Sequence, residues 1–133
     1  MAVDLNKKEE KTIVDVVSYL SKMNTSILIT YVTDKEVDKS ERELIKLSEV
    51  VRKKTGHEKL SCKVIDSDDF YESIGEYIDD INADLLVTIT HHRDALESIF
   101  DPSRTKRIAI HTEVPILAVS QKRKPLIFFG IPV

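Results

Sequence analysis

The amino-acid sequence predicts a doubly wound α/β fold: an open, parallel five-stranded sheet with helices on both faces and an extra strand near the C-terminus. Three observations carry this. Short segments rich in β-branched residues alternate with segments of helical period along the 133 residues. The intervals between successive strands hold a crossover helix, as parallel pairing requires. The run LLVTIT at 85–90 is apolar almost throughout, as suits a central strand covered on both faces.

Taken in order, a stub at Ala2-Val3-Asp4-Leu5 is followed by Ile13, Val16, Val17 and Leu20, spaced as one face of a first helix. A strand SILITYV at 26–32 follows. Leu44, Leu47, Val50 and Val51 mark a second helix, and the alternating stretch at 60–65 a second strand. Asp66-Ser67-Asp68-Asp69 before Phe70 reads as a helix start rather than a cation loop, because it lacks calcium-loop spacing. Ile74, Tyr77, Ile78 and Ile81 give a third helix, stopped at Asn82. Strands are then expected at 85–90, 116–119 and 126–133, with a further helix ending near His111. Ligands of such sheets bind beyond the carboxyl ends of the strands, which puts Asp4, Thr33-Asp34 and Thr90-His91-His92 on one rim.

The apolar fraction of 41% and charged fraction of 32% belong to a globular chain, and no apolar stretch reaches the roughly 20 residues of a membrane span. The first residues lack a basic segment followed by an apolar run, so a cytoplasmic location is expected. A net charge of −3 argues against nucleic acid as a partner, since phosphate neutralisation needs clustered Lys and Arg. The single cysteine, Cys62, reads as a small apolar residue facing inward.

From Asn82 to Val119 the sequence NADLLVTITHHRDALESIFDPSRTKRIAIHTEVPILAV resembles the C-terminal half of a universal stress protein domain. The likeness lies in the Ala-Asp-Leu-Leu-Val strand, the Thr-His-x-Arg loop, a short helix containing Leu-Glu, and the Pro-Ile-Leu-x-Val strand. AVDL, a helix and SILITYV fit the first half. The resemblance implies a Rossmann-like fold of the adenine nucleotide alpha hydrolase type. It also implies a way of testing for ATP: nucleotide-binding members have Gly-x-x-Gly-x9-Gly-Ser/Thr after the fourth family strand. Here the three glycine positions hold Ile89, His92 and Pro102, and Ser103 alone keeps the pattern. Glycine lets backbone amides approach phosphate closely. Ile89 adds bulk, His92 adds a ring, and Pro102 removes an amide donor.

The expectation is therefore that no cofactor, ATP included, is held. The alternative is a nucleotide or small-anion module using a modified loop from Ile89 to Arg104. Its residual site would be Asp4 near the ribose, Val32 near the base, and His92, Arg93, Ser103 and Arg104 around the anion. Against this, Asp4 reads equally as a cap, Val32 as core, and Ser103 or Asp101 as the N-cap of a helix with Pro102 in its first turn. No metal site is expected, since adjacent His91 and His92 point apart and lack further ligands at suitable spacing. With no nucleophile paired to a base, no enzyme is expected.

Residues 1–121 are assigned to the universal stress protein-like domain and 122–133 to a C-terminal strand extension. The short first strand suggests one half of a tandem protein or a trimmed chain. The apolar segment 126–133 is expected to add a strand, on its own sheet or across to a second copy. The resemblance implies dimers, since many members of that family associate through the strand corresponding to Ile116–Val119, so a homodimer through Ile116–Val119 and Leu126–Val133 is expected, or a further protein partner. The function implied is a non-catalytic stress-response domain acting by dimerisation or partner binding.

Overall fold

Ile13, Val16, Val17 and Leu20 share one buried face of α1 (Glu10–Ser21), as their spacing dictates. The computed structural model describes residues 1–3, 5, 9–90, 114–120 and 127–130. The chain forms two compact units, Met1–Asp66 and Ser67–Val133.

In the first unit, α1 leads to β1 (Ile27–Thr33), α2 (Val37–Thr55) and β2 (Leu60–Asp66). β1 and β2 pair in parallel from Ile27↔Leu60 to Thr33↔Asp66. α2 supplies the crossover, packs on both strands, and takes α1 against its side. Its buried residues are Ser40, Leu44, Ser48 and Val51, with Leu47 and Val50 half-buried, so the stripe is rotated from the purely apolar one expected. Ser48 satisfies its hydroxyl by donating to Ile45 O at 2.8 Å. Gly56 ends α2 at φ 70°, the left-handed conformation that glycine adopts without strain, and its N–H donates to Arg52 O. Arg52 in turn donates through its guanidinium to Leu60 O at 2.7 Å, tying the last turn of α2 to the start of β2. Ile13, Val17, Ile29, Leu44 and Val51 are the most deeply buried apolar side chains of this unit. Each contributes about 1.5–3 kcal/mol by removal from water.

Among the described residues of the expected stub, Ala2 forms a parallel bridge with Thr30. Val3 N–H donates to Thr30 O at 2.9 Å and Thr30 N–H to Met1 O at 2.7 Å. The Met1 amino group donates to Leu28 O, and burial lowers its pKa to about 5.

In the second unit, α3 (Phe70–Ile81) precedes β3 (Leu86–Thr90), β4 (Ile116–Ser120) and β5 (Ile127–Gly130). The acidic run before α3 is a cap, as read from the sequence: the Asp69 carboxylate accepts from Glu72 N–H at 3.1 Å. Asn82 closes the helix in the left-handed region at φ 51°, with Ala83 N–H donating to Ile78 O. β3 and β4 pair in parallel, Leu86↔Ile116 to Thr90↔Ser120, and β5 lies antiparallel on β4. The described strands thus form a two-stranded parallel ladder in one unit and a three-stranded ladder in the other. The fold is mixed α/β, with parallel strands and helices. The C-terminal strand pairs on its own chain, antiparallel, with Ile127–Gly130 as its described residues. No described helix is long and apolar enough to cross a membrane.

Candidate functional site

In the first unit the carboxyl ends of β1 and β2 form a short rim. Val32, the residue expected beside a base, is half-buried in β1 with Ile65 as its partner in the parallel register. After it, Thr33 makes a tight turn: its Oγ1 accepts from Lys35 N–H at 3.1 Å and donates to Lys35 O at 3.2 Å. Asp34 is exposed, and Glu36 enters α2 at φ 44°, ψ 48°, a left-handed conformation costly for a residue with a Cβ. Glu36 pairs loosely with Lys39, 3.6 Å apart on the surface. Asp66, at the end of β2, is exposed opposite Thr33 in the register.

The described residues of this rim include several carboxylates. The first turn of α2 carries its own acid, Asp38, and Glu36 flanks it, so the positive end of the helix dipole already faces carboxylates. Asp34 and Asp66 add further negative charge at the strand ends.

In the second unit, Ile89 is the described residue of the three that replace glycine. It is half-buried in β3 and paired in parallel register with Val119, whose side chain is 1% exposed. This position is therefore extended sheet bearing a branched side chain. Asp4, His92, Arg93, Ser103 and Arg104, together with His91, Pro102 and the helix expected before His111, lie outside the described residues. Of the expected residual site, Val32 is what the structure places.

Cys62 is half-buried in β2 with Ile29 as its register partner. Among the described residues no group of three or more His, Cys, Asp or Glu side chains is placed to hold a metal ion. Two features escaped sequence reading. Glu36 in a left-handed conformation has no sequence signal, since glycine or asparagine is the usual occupant. His57, between α2 and β2, is buried, and its Nε2 has no hydrogen-bond partner among the described residues.

The model of the universal stress protein family matches residues 1–120 of the chain. No curated protein sequence matches it significantly. Among solved structures, the crystal structure of a universal stress protein in complex with cAMP is similar, with a TM-score of 0.69 and 12% identity over 92% of this chain and 94% of that one. At that identity the likeness bears on the fold.

Proposed function

The chain belongs to the universal stress protein family, and on that premise we propose that it is a non-catalytic member that does not hold ATP and acts in the stress response by association, with a second copy or with a protein partner. The observation that carries the reading is Ile89. Where the nucleotide-binding pattern needs glycine, this chain has a branched residue within a paired strand. The carboxylates Asp34, Glu36 and Asp66 at the rim support it by opposing a phosphate chain. The doubly wound five-stranded sheet and the division into a domain at 1–121 and an extension at 122–133 belong to the same proposal, as does a cytoplasmic setting.

Calorimetric titration of nucleotide-free protein with Mg-ATP tests it. The expected result is no heat of binding up to millimolar nucleotide, and micromolar affinity would overturn the reading. A second reading is favoured by the cAMP complex of the structurally similar protein: a nucleotide with a single phosphate, held by Arg93, Ser103 and Arg104 with Val32 at the base. Titration with cAMP separates the two, since this reading expects saturable heat that Ser103→Ala and Arg104→Ala abolish.

A further inference from the structure

The sulfur of this chain lies in two methionines, Met1 and Met23, and one cysteine, Cys62. Met1 is half-buried and tied to β1, through its amino group to Leu28 O and through its carbonyl to Thr30 N–H. Cys62 is half-buried in β2, on the sheet face that it shares with buried Leu60. Met23 differs from both: it is 65% exposed, in the turn between α1 and β1. That turn is held by its backbone and by Thr25. Met23 N–H donates to Leu20 O at 3.0 Å, Asn24 N–H to Ser21 O at 3.3 Å, and the Thr25 hydroxyl to Leu20 O at 2.8 Å, while Asn24 takes the left-handed conformation at φ 52°. Tyr19, four residues before Met23, is 64% exposed at the same end of α1.

The susceptibility of a protein sulfur to oxidation follows its access and, for a thiol, its thiolate character. Hypohalous acids attack thioethers and thiols alike, so with them access decides. We infer that Met23 is a site of reversible oxidation on this chain, with a hypohalous acid as the oxidant. The sulfur lone pair attacks the halogen and expels hydroxide; water then displaces halide from sulfur and loses its protons. For hypochlorous acid the net step turns thioether plus HOCl into sulfoxide, chloride and a proton, so that sulfur gives up two electrons and chlorine takes them. The return step draws two electrons from two thiols of a reductase, which leave as a disulfide together with one water. The bonds that hold the turn run through backbone and Thr25, so the sulfoxide makes this exposed surface polar and leaves the core around Ile13, Val17 and Ile29 as it was.

The relevance to stress rests on the function proposed above, whereas the site rests on exposure, and the test reads oxygen on sulfur rather than nucleotide or assembly. The full chain is treated with substoichiometric hypochlorite at neutral pH, and its tryptic peptides are weighed. Peptide 23–35 is expected to gain one oxygen at least about tenfold more often than peptide 1–7, which holds Met1, or peptide 60–63, which holds Cys62. Methionine sulfoxide reductase with a dithiol is expected to remove that oxygen, and the oxidised chain is expected to keep the urea midpoint of the untreated one. Oxidation of Cys62 or Met1 as readily as Met23 would overturn the inference, as would an oxygen that the reductase leaves in place. So would a lowered urea midpoint after oxidation, which would make Met23 part of the packing of the fold instead of its surface.

Discussion

β2 exposes Ser61, Lys63 and Asp66 along its length, whereas β4 buries Ile116, Leu117 and Val119 and takes β5 along its second side. Among the described strands, β2 has a single neighbour, β1, and β4 has two. A strand with polar and charged side chains tolerates an open edge, because pairing with another chain would have to desolvate those groups. An apolar strand has no such protection and needs a physical cover. The two units therefore meet one hazard by different means: β2 through its side chains, β4 through a strand of its own chain.

The largest effect that sharpens this contrast comes from placing the same residue on each strand. Val119→Asp buries a carboxylate in the β3–β4 ladder and is expected to cost about 4 kcal/mol or more, while Ser61→Asp on β2 stays within about 0.5 kcal/mol. Urea unfolding of both variants checks it, and equal losses would break the contrast. Next, Ser61→Val combined with Lys63→Val strips β2 of its protection. Concentration-dependent light scattering absent from the unaltered protein is expected. A smaller effect concerns the entry to the second unit. Asp69→Ala removes the cap of α3 and is expected to lower stability by about 1 kcal/mol, read as a shift in the urea midpoint. Smallest is Lys54→Ala. Its ion pair with Glu10, at 2.9 Å, links α2 to α1 on the surface, and its loss is expected to change stability by less than about 0.5 kcal/mol.

The three described helices were legible because apolar periodicity survives without tertiary context. Ile13, Val16, Val17 and Leu20 are the buried face of α1, and Asp69 and Asn82 bound α3 through the local backbone chemistry that marks caps in any sequence. α2 was read less well because Ser40 and Ser48 line its buried face, and small polar residues leave no trace in a hydrophobic pattern. The same limit applies to Ile81, which fits the apolar period of α3 yet is 44% exposed. The direction of β5 was out of reach, since an apolar run between prolines is compatible with parallel, antiparallel or intermolecular pairing. At the candidate site, the loss of glycine at Ile89 was visible in the sequence, and its place in a paired strand is what the structure adds. The strained turn at Glu36 was invisible, because its conformation is imposed by the connection between β1 and α2 and not by its own preference.

The central claim is that the nucleotide cradle has been dismantled at Ile89, His92 and Pro102. The most direct test is Mg-ATP calorimetry on the unaltered protein beside the triple variant Ile89→Gly, His92→Gly, Pro102→Gly, with circular dichroism to verify that the variant is folded. The account predicts no binding by the unaltered chain and a measurable gain of ATP affinity in the variant. Micromolar binding by the unaltered chain, or a folded variant that remains silent, would contradict it.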